Sequence, residues 1–408
     1  MKLGFICPNA PGHVNPMGAL AHQLKAQNHE VVFLCSPGPS DLPAITLPQA
    51  DAVSENLPEV SKMQGDQALE FIVQVVLSQT ETILKNLPVM VRSAGIDALI
   101  IDGGQPYAEL GALELDIPYI QVACALHFDY SGYTPLCLYG WGHETSEPAL
   151  FRNREGVAKL TDMVGRHNAG VKKFAENAGL NVDWGDLAST MSPWASITQV
   201  PRAFDFVNPH WPDQFHHTGP FHAINYREKV EFPWEKLTGQ PLVYASMGTI
   251  LNGRPEVFRT IVAAMAKHKD VQLVLSLGSQ LSREQLGPVP DNAIVVNRAP
   301  QLEVLKRTAA CITHAGLNTV LESLAQGVPQ VAVPIAFDQP GVAARISDKK
   351  TGLVTSLDKL TPDHLSDLLS EVLSNPIYRE NSRKIQAAIN ETDGLRLAAQ
   401  RIEEALGA

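Results

Sequence analysis

"ACITHAGLNTVLESLAQGVPQVAVP", residues 310–334, holds the reading that decides the fold. "ACIT" and "QVAVP" are short apolar runs of the kind that form strands buried on both faces. Between them Leu317–Gln326 has the pattern of a helix, closed by Gly327 and Pro329. A strand, a helix and a strand in that order predict a parallel sheet covered by helices. Gly316 lets the backbone come close to a ligand, and the N–H groups of the helix's first turn point beyond the strand end with Asn318 and Thr319 beside them. Unpaired N–H groups and the helix dipole together favour an anion such as a diphosphate. Glu322 lies one turn beyond Asn318 on the same face; it would repel phosphate but can accept hydrogen bonds from vicinal hydroxyls such as those of a ribose. From this stretch alone an equal reading is a capped helix, with His314 a satisfied strand-end histidine.

The same alternation runs through the chain. "KLGFIC", "HEVVFLC", "DALIID" and "PYIQVAC" read as strands of a first half, and "PLVYASMG", "VQLVLSLG" and "AIVVN" join the opening pair in a second. Val14, Met17, Leu20 and Leu24 recur at helical spacing between the first two strands, with Asn28 as the stop. Val200–Pro241 holds Pro201, Pro209, Pro212, Pro220, Pro233 and Pro241, a density that breaks regular structure. The boundaries that follow are residues 1–218 for a first Rossmann-like domain, 219–240 for a linker, 241–385 for a second such domain, and 386–408 for helices free to pack back on the first. The fold class is thus α/β, two doubly wound parallel-sheet domains with a ligand cleft between the carboxyl ends of their strands.

Composition narrows the partners. Of 408 residues 45% are apolar and 18% charged, ample for buried cores. A net charge of −11 without any basic run excludes recruitment by nucleic acid or by an anionic membrane, so an anionic ligand must be held by local dipoles. Five scattered cysteines, Cys7, Cys35, Cys124, Cys137 and Cys311, suit reduced core thiols in a cytoplasmic protein, and neither a signal peptide nor a membrane-spanning run is expected.

Three further features bear on chemistry. "SMGT", Ser246–Thr249, closes a strand with two hydroxyls and a glycine that can face the same anion. Asp338 and Gln339 follow "QVAVP"; Gln339 can cap a helix that begins at Pro340, or the pair can bind sugar hydroxyls. The irregular stretches 37–65 and 131–150, the latter with Tyr133, Tyr139 and Trp141, suit either an apolar guest or loop packing.

The segment "RAPQLEVLKRTAACITHAGLNTVLESLAQGVPQVAVPIAFDQ", Arg298–Gln339, with "PGHVNP", "TGPF" and "YASMGT" elsewhere, resembles the donor-sugar signature of the UDP-glycosyltransferases, which have the two-domain GT-B fold. "PIAFDQPGVAARI" and "TGPFH" look most similar to their carotenoid (zeaxanthin) glucosyltransferase branch. The resemblance implies that His314, Gly316, Asn318 and Thr319 meet the diphosphate together with Ser246, Gly248 and Thr249. It implies that Gln301 and Glu322 meet the ribose, and Asp338 and Gln339 the transferred sugar. Arg298 and Ala299 open the box where the family commonly has a tryptophan stacked on uracil; here a guanidinium plane would have to serve. Leu317 stands where plant members carry tryptophan, so any contact there is by backbone.

His13 in "PGHVNP" matches the family's base and Asp102, ending "DALIID", its partner. A helix N-terminus disfavours the imidazolium, and Asp102 would fix the tautomer and stabilise the cation once the acceptor hydroxyl yields its proton. The implied reaction is an inverting transfer, with no bound metal or other cofactor, of a sugar, glucose foremost, from UDP-glucose as co-substrate to a hydroxyl of a small lipophilic or phenolic acceptor. The same fold could instead epimerise or hydrolyse the nucleotide sugar, or merely bind it. A nicotinamide dehydrogenase is disfavoured, since no Gly-x-Gly-x-x-Gly follows a strand. His127, His143, His216 and His217 have no evident partner in the sequence.

Overall fold

Every apolar run singled out above becomes a strand, because only a sheet covered on both faces takes so continuous a run of apolar side chains out of water. The computed structural model describes residues 1–47, 55–223, 226–227 and 229–408. The first sheet is built from β1 (Lys2–Ile6), β2 (Glu30–Cys35), β3 (Ala44–Thr46), β4 (Ala98–Asp102), β5 (Tyr119–Ala123), β6 (Ala195–Thr198) and β7 (Phe215–His217). Its strand order is β3-β2-β1-β4-β5-β6-β7, parallel throughout. The second contains β8 (Leu242–Ser246), β9 (Gln272–Ser276), β10 (Ala293–Val296), β11 (Thr308–Thr313), β12 (Gln330–Ala332) and β13 (Gly352–Val354), in the order β10-β9-β8-β11-β12-β13.

Both sheets are doubly wound, so each has one place where successive strands leave in opposite directions. That place is β1 beside β4 in the first sheet and β8 beside β11 in the second. Strand carboxyl ends diverge there and open a crevice. His13 follows β1 and Asp102 ends β4; Ser246 ends β8 and His314 follows β11.

The first-half helices are α1 (Pro11–Ala26), α2 (Leu57–Val60), α3 (Gly65–Ala94), α4 (Glu109–Leu115), α5 (Glu147–His167) and α6 (Ala169–Asn177). Those of the second half are α7 (Pro255–Met265), α8 (Gln301–Leu305), α9 (Leu317–Ala325), α10 (Gln339–Asp348), α11 (Pro362–Ser374), α12 (Pro376–Asn390) and α13 (Gly394–Leu406). α1 starts on proline, whose missing N–H costs nothing at a helix start, and Asn28 just past its end takes the left-handed φ of 68°. Its face Met17, Leu20, Ala21 and Leu24 is buried against Phe5 and Ile100. The last helix, α13, returns to the first half: Ala398, Ala399 and Ile402 join that same core, and His29 Nε2 lies 3.1 Å from Glu403 Oε1. Among the described residues no helix is long and apolar enough to cross a membrane, and all five cysteines are buried free thiols.

A buried ion-pair network joins the halves. Asp205, between β6 and β7, receives Arg345 of α10 on Oδ1 (Nε at 2.8 Å) and His217 Nε2 on Oδ2 at 2.7 Å, with His127 Nε2 3.1 Å from Oδ2. His127 and His217 therefore do have a partner, contrary to the expectation from sequence; Asp205 is remote in the chain and invisible as such. Burial by itself raises the pKa of Asp205, but Arg345 and the two imidazoles outweigh it and hold the carboxyl well below the usual aspartate range. A depressed folded-state pKa stabilises above the unfolded value of about 4 and is lost as pH falls. Arg345→Ala leaves this carboxylate buried without its main counter-charge, so we expect a loss of about 3–5 kcal/mol in chemical denaturation at neutral pH, shrinking as the solution is acidified.

Candidate active site

On the first-half wall, His13 is the third residue of α1 and half-buried, while Asp102 is fully buried. Their side chains meet with His13 Nδ1 2.7 Å from Asp102 Oδ2, and the Gly104 N–H donates to Oδ1 at 2.9 Å. Both carboxylate oxygens are thus engaged, Nδ1 carries the proton, and Nε2 is the basic nitrogen. Gly104 is needed for this approach, since a Cβ there would lie 2.7 Å from His13 Cε1. Burial works to lower the pKa of His13, yet the charge and hydrogen bond of Asp102 more than reverse it, and the net displacement is upward from the ordinary value. The helix N-terminus, expected to disfavour the imidazolium, does not decide the outcome. Cys7 and Cys124 lie beside Asp102, and burial, reinforced by its charge, keeps both thiols protonated.

On the second-half wall, α9 begins at Leu317 and no side chain caps it. Its first N–H groups are left for a ligand or for water. His314 precedes this helix, its ring between two glycines: a Cβ on Gly248 or Gly316 would come within 2.4 or 2.3 Å of Nε2. Gly248 also has φ 75°, in the left-handed region. Burial lowers His314's pKa to about 4, so the ring is neutral, and its Nδ1 has no hydrogen-bond partner. Ala315 and Phe337, at φ 64° and 61°, hold strained turns just before α9 and α10.

Gln301, Thr319 and Glu322 are tied to one another, while Gln339, Asp338 and Asn318 are held by other partners. Tyr244 OH donates to Gln301 Oε1 at 2.8 Å, and Gln301 Nε2 donates to Glu322 Oε2 at 2.7 Å and to Thr319 Oγ1 at 3.3 Å. Arg227, from the linker, pairs with Glu322 Oε1. Gln339 opens α10 and caps nothing in its own helix; its side-chain oxygen accepts the Ile335 and Ala336 N–H groups. Asp338 Oδ2 accepts the Leu126 N–H at 2.9 Å across the cleft, and Asn318 Nδ2 donates to the Gly12 carbonyl at 2.7 Å while its Oδ1 accepts from Gln199 at 2.8 Å.

One cavity of about 1500 Å³ runs between the halves and is lined by His13, Asp102, Ser246, Gly248, Thr249, Arg298, Ala299, Gln301, His314, Gly316, Leu317, Asn318, Thr319, Glu322, Asp338 and Gln339. The loop aromatics are elsewhere. Tyr139 and Trp141 stack on each other at 4.0 Å with Arg152 over Trp141, and Tyr133 packs on His210. Mutual stacking satisfies these rings without a guest, so of the two readings of residues 131–150 loop packing holds for Tyr133, Tyr139 and Trp141; of that stretch Leu138 lines the cavity. No described residue of 37–65 does, and 48–54 lie outside the described residues. The apolar lining comes instead from α3 (Leu69, Ile72, Val73, Val76, Leu77) and from Phe128 and Tyr130. Arg227, Gln199 and Leu126 carry no signal in the sequence, since each acts through a contact distant along the chain. The ligand atoms of His127, Asp205 and His217 lie within 4.8 Å of one another, but Arg345 already supplies the positive charge a metal ion would bring.

Residues 189–391 match the family model described as UDP-glucoronosyl and UDP-glucosyl transferase. Over nearly its whole length the chain is similar to zeaxanthin glucosyltransferase of Pantoea ananas, 28% identical over 98% of this chain and 95% of that one. Residues 189–391 thus carry this family's domain, and the chain is a glycosyltransferase. It is also 27% identical to demethyllactenocin mycarosyltransferase of Streptomyces fradiae, over 98% of this chain and 85% of the relative. In fold it matches the glycosyltransferase of kitacinnamycin, at a TM-score of 0.76 and 24% identity over 99% of this chain and 98% of that one. The two facing doubly wound domains are therefore the GT-B fold.

Because Asp102 does most to raise the pKa of His13, Asp102→Asn leaves burial opposed only by the weaker charge of Asp338. NMR titration of the His13 ring should give a value above 6.5 in the wild-type chain and below it in Asp102→Asn.

Proposed function

We propose that this glycosyltransferase moves glucose from UDP-glucose to a hydroxyl of a small lipophilic or phenolic acceptor, with inversion at the anomeric carbon. The observation that carries the reading is the 2.7 Å pair His13–Asp102, set in the same cavity as the uncapped start of α9. An acceptor hydroxyl against His13 Nε2 gives up its proton as its oxygen attacks the anomeric carbon; the bond to the diphosphate oxygen breaks and the charge leaves toward α9. Asp102 stabilises the imidazolium that forms. The N–H groups of α9 and the Ser246–Thr249 turn answer the departing charge, so no metal ion is invoked. An α-linked donor gives a β-glycoside.

The lining supports a lipophilic acceptor, since the α3 side chains and Phe128 offer apolar contact without charge. Asp338 is held by Leu126 close enough to His13 for its charge to raise that ring's pKa, which suits contact with the hydroxyls of a sugar lying between the walls. The resident Arg298, exposed at the cavity rim, is assigned to the base.

Two measurements test this. His13→Ala should lower turnover about 10²–10⁴-fold with donor affinity unchanged; full turnover with every acceptor tried removes His13 from the reaction. Arg298→Trp buries more area on a base, so the KM for UDP-glucose should fall severalfold, base stacking on an aromatic ring being worth about 1–3 kcal/mol. An unchanged KM removes Arg298 from the base contact.

A further inference from the structure

The apolar side of the cavity contains one acid that the transfer reaction does not use. Glu109, the first residue of α4, is 3% exposed and lines the cavity among Leu77, Leu160, Val164 and Leu187. Thr190 Oγ1 donates to its Oε1 at 2.7 Å, and Gln121 Nε2 lies 3.4 Å from the same oxygen. Gln121 is itself held by the Ser192 N–H at 3.0 Å, so the carboxyl is fixed in position by a braced floor. Asp102, the other acid among the first-half lining residues, is committed to His13 and Gly104. From Pro8 to Phe215 no Lys or Arg is among the described residues that line this side. A carboxyl placed in such surroundings has no protein counter-charge and is costly unless a ligand answers it.

We propose that Glu109 reads the acceptor: it takes a hydrogen bond from a second donor group, a hydroxyl or amine, on the lipophilic acceptor, away from the hydroxyl that receives the sugar. The inference rests on the transfer reading above and narrows its substrate class to bifunctional acceptors. Burial pushes Glu109 up to about 7, against the Thr190 hydrogen bond and the backbone N–H groups of Glu109 and Tyr107. Near neutral pH the group is thus balanced between acid and carboxylate, and a donor from the ligand favours the carboxylate. An acceptor without that donor leaves Glu109 buried and unanswered, and polar sites built this way discriminate strongly against analogues that lack the group.

The test uses the full chain with UDP bound and a panel of flavonoid and sterol diols, each paired with the mono-O-methyl ether that blocks the hydroxyl remote from the glycosylated one. Calorimetric Kd values should favour the diol about 10–100-fold in the wild type. Glu109→Gln, close in shape, should bring the pair to within about threefold, with UDP affinity and melting temperature unchanged, and Glu109→Asp should restore part of the preference. Equal loss for both members of each pair, or a preference that survives Glu109→Gln, overturns the proposal, as does a wild type that binds no diol. Product formation from UDP-glucose is followed separately. Binding without product counts against the transfer reading, and the comparison of wild type with variant still decides for or against Glu109.

Discussion

A carboxylate with no exposed surface has to be answered from within the protein, and for Asp102 the answers are one backbone N–H and one imidazole. Much of the first half follows from that constraint. β1 and β4 are neighbours in register, so the chain leaving β1 and the last residue of β4 emerge side by side. α1 must begin within a few residues of β1 for His13 to reach back, and position 104 must lack a Cβ for the ring to fit. An unpaired buried charge costs several kcal/mol, so the geometry that raises the basicity of His13 is also one the fold cannot relax without losing stability. Stability and basicity come from a single hydrogen bond.

The second half repeats the topology and sets an uncapped helix start where the first half has the His13–Asp102 pair. At its switch point β11 leads through a strained turn at Ala315 to an uncapped helix, and the neighbouring β12 leads through a second strained turn at Phe337 to α10. Asn318 is the link between the two walls. Its amide holds the carbonyl of Gly12, the residue before His13, so the start of α9 and the start of α1 are fixed against each other. With Asp338 on Leu126 and Arg345 on Asp205, three contacts of different chemistry set the distance between His13 and the start of α9.

Strands of five or six residues, such as β1, β2, β4, β8 and β9, were legible in the sequence because each is covered on both faces and carries a run of apolar side chains, with polar residues only at its ends. β3, β6, β7 and β13 were not: each has three or four residues, and β7 is Phe-His-His; β12 is as short but was read from the apolar run that continues past its end. Site residues were legible where a motif keeps them close in sequence, as with His314, Gly316 and Asn318. Side chains whose meaning comes from a distant partner were hidden. His127 and His217 looked unattached because Asp205 says nothing of itself, and Glu109 reads as an ordinary first-turn acid until the sheet brings Gln121 and Thr190 to it. For Tyr139 and Trp141 the sequence left two readings open, since composition cannot tell a ring stacked on its neighbour from one that awaits a ligand.

Glu322 shows how the structure resolves a conflict that the sequence could only pose. A buried carboxylate one turn along a helix whose start favours anions ought to weaken that preference. Arg227 pairs with Oε1 and Gln301 donates to Oε2, so the negative charge is compensated on one side and oriented on the other. A carboxylate has about four acceptor positions, and two are taken, which leaves one on each oxygen for neighbouring hydroxyls. In a chain of net charge −11 Arg227 thus offsets, at contact distance, the carboxylate that would oppose an anion at this helix. The segment between β7 and β8 therefore also carries the residue that offsets the buried carboxylate of α9.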